Sequence, residues 1–183
     1  IIESIELSST EIVQLFLNSN KTIENFADVV NASIMKENSE ITKLLIYSDR
    51  FDINDSEIVG KIIDKIVEKE KFQYIEFFID QNRFNINMKI GVESKSILHL
   101  CCSIKELFPL IPVLLKRNEI DVNIRDLNGL SPLHEAMRSQ NNNFSIYLIK
   151  DKRVDVNAKD EGNQTPLHYA ASNWSVVPLT DLF

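Results

Sequence analysis

Three histidines, His99, His134 and His168, and two adjacent cysteines, Cys101 and Cys102, are the residues of this 183-residue chain best suited to hold a metal ion or to exchange protons near neutral pH. The histidines are spaced by 35 and 34 residues, and each stands three places after a hydroxyl residue: Ser96, Ser131 and Thr165. Near-equal spacing of this kind puts them in one column of a repeated unit. They then lie in a row, one repeat apart, which is too far for shared coordination. Neighbouring residues on a helix point about 100° apart, so Cys101 and Cys102 do not easily face one ion. There is no second cysteine pair to complete a zinc site. A Gly-rich phosphate loop, a nucleophile elbow and a His-Glu-x-x-His pair are all missing. The expectation is a chain that is not an enzyme, with no catalytic residue, no metal and no cofactor.

The composition narrows the partners. There are 27 acidic and 20 basic residues, a formal charge of −7, which argues against a phosphate backbone and so against nucleic acid. The apolar share is 44% and the charged share 26%, ordinary for a soluble domain. No apolar run approaches the ~20 residues needed to cross a bilayer, so no membrane insertion is expected. No signal-peptide order of residues follows Ile1. Two cysteines make no disulfide framework, and the expected setting is intracellular, cytoplasmic or cytoskeletal. The chain opens on Ile1 instead of Met, so it reads as a fragment whose targeting signals can lie elsewhere.

The repeat behind the histidines is plain. Phe51-Asp52-Ile53-Asn54, Phe84-Asn85-Ile86-Asn87, Ile120-Asp121-Val122-Asn123 and Val154-Asp155-Val156-Asn157 recur with their last Asn 33, 36 and 34 residues apart. The ten residues before each phrase align without gaps, with apolar centres at Leu44-Leu45-Ile46, Phe77-Phe78-Ile79, Val113-Leu114-Leu115 and Tyr147-Leu148-Ile149. Asp52, Asp121 and Asp155 are therefore part of the repeat and not scattered acids. A second phrase, Ser131-Pro132-Leu133-His134-Glu135-Ala136, matches Thr165-Pro166-Leu167-His168-Tyr169-Ala170, with Ser96-Ile97-Leu98-His99-Leu100-Cys101 as a weaker copy. Ser131 and Thr165 can cap a helix, and Pro132 and Pro166 fall at its first position, where a missing N–H costs nothing. The Ala136 column holds only small residues, as close helix approach demands. Each repeat reads as turn, short helix, turn, second helix, and an extended phrase.

These motifs resemble the ankyrin-repeat family, with its period of about 33 residues and its Thr-Pro-Leu-His helix start. Asp126, Gly129, Ser131, Pro132, Leu133 and His134 meet the family's turn pattern. The next repeat meets it with Asp160, Thr165, Pro166, Leu167 and His168, but Asn163 sits in the Gly column and must tolerate a left-handed backbone. The resemblance implies an all-α solenoid of stacked helix–turn–helix units with projecting turns, in which the column histidine bonds neighbouring repeats. We divide the chain into a capping helix or half-repeat (1–21) and repeats 22–50, 51–83, 84–119, 120–153 and 154–183, the last incomplete. Ser8 and Glu11 have capping-box spacing before the apolar stripe Ile12, Val13, Phe16 and Leu17. The family's Gly after the second helix is replaced by Arg50, Arg83, Glu119 or Arg153, so a different cap is expected there. Residues 54–71 lack the Pro-Leu-His signature but keep helical spacing through Ile58, Ile62 and Ile66. Glu68-Lys69-Glu70-Lys71 and Asn141-Asn142-Asn143 read as turns, and Trp174 as a turn residue that packs or binds. Val176, Val177, Leu179, Leu182 and Phe183 lack a polar cap, so a continuation of the chain or a partner is expected to cover that end.

The resemblance implies binding through turn tips and the exposed first-helix face. Those positions are Leu127, Asn128, Leu130 and Arg138 in one repeat, and Glu161, Asn163, Gln164, Tyr169 and Ser172 in the next. In the repeat before them they are Lys89, Val92 and Lys95. Leu127 and Leu130 either make a dry contact or pack on the neighbouring turn. The leading function is a non-enzymatic protein–protein interaction module, a scaffold or adaptor with one or more protein partners. Two other readings stay open: a permanent structural component of a cytoskeletal or other large assembly, and the targeting array of a larger enzyme or effector.

Overall fold

The computed structural model describes residues 9–19, 23, 25–139 and 142–172. They form ten α-helices and two short 3-10 turns, with no β-strand among the described residues; the one β-bridge joins Ile90 to Lys95. The all-α helix–turn–helix repeat fold expected from the spacing is present. The chain divides into two compact bodies, residues 1–85 and 86–183.

In the N-terminal body α1 spans Thr10–Asn18, α2 Phe26–Met35, α3 Ser39–Tyr47, α4 Ser56–Glu68 and α5 Glu76–Ile79. Ser8 and its capping box lie outside the described residues, and Ser9, which precedes α1, makes no side-chain cap. α2 packs on α3 and on α4, and α1 packs on α3. Helix starts follow the local residues. Asn38 Oδ1 accepts from the Ile41 N–H at 3.0 Å, and Asp55 Oδ1 accepts from Glu57 and Ile58 at 3.0 Å each. α2 and α4 end alike. Glu37 and Glu70 take positive φ (55° and 54°), and the next N–H reaches back to Ser33 and Ile66. This is the left-handed helix stop that Gly usually supplies. The core is aromatic: Phe26 stacks on Phe51 at 5.1 Å, and Phe78 meets Phe51 and Phe84 edge-on.

In the C-terminal body α6 spans Ile97–Ser103, α7 Ile111–Leu115, α8 Pro132–Arg138, α9 Asn142–Ile149 and α10 Pro166–Ser172. The first helices stack in a row, α6 on α8 and α8 on α10. Asn142 and Asn143 belong to α9 instead of the expected turn, while Asn141 lies outside the described residues. Trp174 and the apolar residues from Val176 to Phe183 also lie outside them. Leu133 is buried (1% exposed) as its column predicts, but Leu167 is not (48%). Leu133 sits on a helix flanked by α6, α9 and α10. Among the described elements α10 packs principally on α8.

The residues that replace the family's Gly are helix caps acting at a distance. Arg50 bonds the carbonyls of Phe16, Leu17 and Ser19 at the end of α1. Arg83 bonds those of Ile46 (3.1 Å), Ser48 (2.7 Å) and Phe51 (3.3 Å) after α3. Arg153 bonds those of Leu115 (2.7 Å) and Arg117 (3.3 Å) after α7. Each guanidinium satisfies orphan carbonyls at the negative end of a helix dipole. Glu119 departs from the pattern, and its carboxylate is held by Arg117 Nε at 2.7 Å.

Candidate functional site

The turn-tip and first-helix face of the C-terminal body is organised by the histidine column. Nδ1 of His99 accepts from the Ser96 N–H (3.2 Å) and Nδ1 of His134 from the Ser131 N–H (3.1 Å), closing a capping box at each helix start. That leaves the ring proton on Nε2, which donates to the Leu130 carbonyl (3.0 Å) from His99 and to the Gln164 carbonyl (3.1 Å) from His134. Each ring thus ties its own helix to the turn of the next repeat. Burial holds both imidazoles below their ordinary value, against the backbone bonds that favour the cation. His168 makes the same bond to the Thr165 N–H (3.1 Å). Among the described residues no three His, Cys, Asp or Glu side chains converge on a point that could hold a metal. Cys101 and Cys102 are fully buried, and burial pushes both thiols up, away from the reactive thiolate.

The turns themselves are rigid. Asp126 Oδ1 accepts from the Asn128 and Leu130 N–H groups, both at 2.8 Å, while Gly129 takes φ +74°. Asp160 Oδ1 accepts from Gln164 at 2.8 Å, and Asn163 takes φ +59°, so Asn does the work of Gly there. The third turn, from Ile90 to Lys95, is closed by two main-chain bonds of 2.8 and 3.1 Å. Successive tips are joined by main chain: Leu127 N–H donates to Glu93, and Glu161 N–H to Asn128.

On these turns the expected contact residues separate. Leu127 (61% exposed) and Val92 (92%) stand in solvent on adjacent tips. Lys89, Asn128, Glu161, Asn163, Gln164, Arg138 and Ser172 are exposed as well. Leu130 is not: it is 4% exposed, and its N–H and carbonyl both bond Asp126. The packing alternative holds for Leu130, because it is the turn residue that enters the core ahead of α8. Lys95 is half-buried. Burial would lower its ammonium, but bonds to Glu93 (2.6 Å) and Glu135 (2.9 Å) outweigh that and raise it. Its charge is already spent.

Glu135 is what column reasoning missed. It is buried in α8 between Lys95 and Arg138, whose Nε and Nη2 reach it at 3.1 and 3.0 Å. Tyr169 occupies the same column one repeat later. Its hydroxyl donates to Asp160 Oδ2 at 2.6 Å, and that bond, with burial, pushes the phenol up to about 12. Its ring meets His134 edge-on at 5.6 Å. The one signal available in sequence was the Glu–Tyr difference within an otherwise matching column. Arg138 is therefore preoriented by the buried Glu135 and Tyr169 by the partly exposed Asp160, a state that lowers the entropy cost of binding. No helix of the described residues is long and apolar enough to cross a membrane.

Comparison with known proteins agrees with the architecture. Residues 98–177 match a family model described as ankyrin repeats in three copies. A relative, the putative ankyrin repeat protein R96 of Acanthamoeba polyphaga mimivirus, is 36% identical over 105 residues, covering 55% of this chain and 10% of the relative. The chain thus spans about a tenth of the length of the curated relative it matches. The Thr-Pro-Leu-His helix starts, the histidine column tying helix to turn and the matched family model agree, and residues 98–177 are similar to ankyrin repeats.

Proposed function

We propose that the chain is a non-enzymatic interaction module, a scaffold or adaptor that holds a protein partner on the turn tips and first-helix face of its C-terminal body. Ankyrin repeats in general bind proteins and do not catalyse, which supports the coarse reading. The observation that carries the finer one is the pair Val92 and Leu127. Two apolar side chains stand in solvent on adjacent tips whose main chains are bonded to one another. Rigid, exposed apolar groups at a solvated turn favour a dry contact. Arg138 and Tyr169, held by Glu135 and Asp160, are residue types that dominate interface energies. The buried thiols of Cys101 and Cys102 fit an intracellular setting, cytoplasmic or cytoskeletal.

The length of the relative favours a second reading, in which this chain is the targeting part of a larger protein whose activity lies elsewhere. Affinity capture from cells of the source organism, followed by titration of the retained protein, tests the first. A Val92→Ser/Leu127→Ser variant should melt as the parent does and bind at least ~5-fold more weakly, about 1 kcal/mol. Unchanged affinity in that variant rules this face out.

A further inference from the structure

The arms that carry the turns of the C-terminal body are sorted by charge. Each arm enters its turn through three residues: Met88-Lys89-Ile90, Ile124-Arg125-Asp126 and Ala158-Lys159-Asp160. Met88, Ile90, Ile124, Asp126 and Ala158 are buried, while Lys89 and Lys159 are exposed and Arg125 is half-buried. Successive residues of an extended arm point to opposite faces, so the middle residue of each triplet faces away from the first helices. The residues beside it face towards them. Asp160 Oδ2 accepts from Tyr169 on α10, and Ile90 pairs across its turn with Lys95, which reaches Glu135 on α8. Lys89, Arg125 and Lys159 therefore form a basic column, one residue per repeat.

The two faces balance charge differently. On the helix side Lys95 meets Glu93 and Glu135, and Arg138 meets Glu135. On the outer side no carboxylate of the described residues pairs with any member of the column. Arg125 is also fixed in place, because its Nη1 donates to the Gly129 carbonyl (2.5 Å) and to the Lys159 carbonyl (2.6 Å). The second bond holds the guanidinium against the main chain of the next basic residue, a like-charge approach that an anion relieves. Nε and Nη2 of Arg125 have no partner among the described residues, and that edge of a guanidinium takes a carboxylate through two parallel bonds.

We propose that the outer face of these turns is a second binding surface, on which Lys89, Arg125 and Lys159 hold an extended acidic segment of a protein. The first helices of the same repeats stack in a row, α6 on α8 and α8 on α10. Packed helices lie about 8–10 Å apart and an extended chain rises ~3.3 Å per residue, so an acidic residue at every third position meets one cation per repeat. This surface is separate from the Val92–Leu127 contact and does not depend on it.

The test titrates the 183-residue chain into a fluorescein-labelled peptide with Glu at every third position and Ser between, read by anisotropy. Binding should be saturable and at least ~5-fold tighter than for the same peptide with Gln in place of Glu. A Lys89→Gln/Lys159→Gln variant, which removes no side-chain bond of the fold, should melt as the parent does and bind at least ~3-fold more weakly. Lys89→Arg/Lys159→Arg should bind as the parent does. Val92→Ser/Leu127→Ser should also leave this peptide's affinity unchanged, which tells failure of one surface from failure of the other. Equal affinity for the Gln peptide overturns the proposal, as does unchanged affinity in the Lys→Gln variant. An oligothymidylate that binds the same column more tightly than the peptide assigns it to phosphates and also overturns it. Self-association that the Lys→Gln variant abolishes does the same, because the occupant is then a second copy of the chain.

Discussion

In the N-terminal body the first helices α2 and α4 are ten and thirteen residues long and stop at a left-handed Glu. In the C-terminal body α6, α8 and α10 are seven residues long and start at a hydroxyl–histidine box or its matching sequence. Both bodies keep the same Asn joint: Asn54 takes the Arg83 carbonyl and the Asn85 N–H at 2.8 and 2.7 Å, as Asn123 takes its own pair. Both keep the distant Arg cap. What differs is how first helices are held. The N-terminal body relies mainly on apolar and aromatic burial, with one buried hydroxyl bond, Ser33 to Thr42 at 2.8 Å, between α2 and α3; the C-terminal body adds a larger set of buried polar groups that are almost all paired. Charge divides the same way. Residues 1–85 hold 16 acidic and 9 basic residues, a balance of −7, while residues 86–183 hold 11 of each. The Asn joint is the same in both bodies, whereas the helix interfaces differ.

Core truncation should have the largest effect and act in both bodies. Leu133→Ala should cost ~2–5 kcal/mol and Phe78→Ala ~3–5 kcal/mol, read from denaturant unfolding. The comparison would break if either change were near neutral, since both residues are buried.

The histidine column separates the bodies. His134→Ala leaves the Ser131 N–H and the Gln164 carbonyl without their partner and should cost ~1–3 kcal/mol. Acid should act the same way. His99 and His134 have folded values below their ordinary 6.5, so the unfolded chain binds protons first as pH falls. Their contribution is complete above about 6.5 and is lost as pH falls below it, towards the lowered folded values. Amide exchange from pH 7.5 to 5 should show α6 and α8 loosening more than α2 and α4. Equal loosening of all four helices would remove the histidines from the account.

Which parts of this were legible in the sequence follows from the same contrast. The Ser131–His134 box and the Asp126–Leu130 turn have fixed chemistry at fixed spacing, so they could be read from letters alone. The turn position of Leu130 could be read too, but its burial could not: inward and outward residues of a five-residue turn differ by one backbone torsion and not by residue type. The distant Arg caps were visible only as a missing Gly. Their partners lie 31 to 38 residues away, beyond any local pattern. Glu135 was hidden because a carboxylate on a first helix normally faces water, and only Lys95 and Arg138 together make its burial tolerable.

The hydroxyl of Tyr74 provides a smaller test. It is buried without a hydrogen-bond partner among the described residues, in the position that Ile41, Leu110 and Phe144 fill with hydrocarbon. Burying an unpaired hydroxyl is unfavourable by ~1–3 kcal/mol. Tyr74→Phe should therefore leave the N-terminal body as stable or more stable, measured by thermal unfolding. A loss of stability would reveal a polar partner in a body otherwise held mainly by apolar contact.

The smallest expected effect lies in the helix stops that only the N-terminal body builds from Glu. Glu70 sits at φ 54°, where a side chain costs ~1–2 kcal/mol that Gly does not incur. Glycine returns ~0.4–1 kcal/mol of that through its freer unfolded chain. Glu70→Gly should thus range from neutral to stabilising by ~1.6 kcal/mol. Glu37→Gly relieves the same torsion but also removes the ion pair with Lys71, so it should gain less than Glu70→Gly. In the C-terminal body Asn163 occupies the same region at φ 59°, and Asn enters it more readily than Glu, so Asn163→Gly should gain least. That order, Glu70 above both Glu37 and Asn163, is the outcome a set of melts should return. If Asn163→Gly gained as much as Glu70→Gly, residue type at left-handed positions would not distinguish the two bodies, and their difference would rest on core chemistry alone.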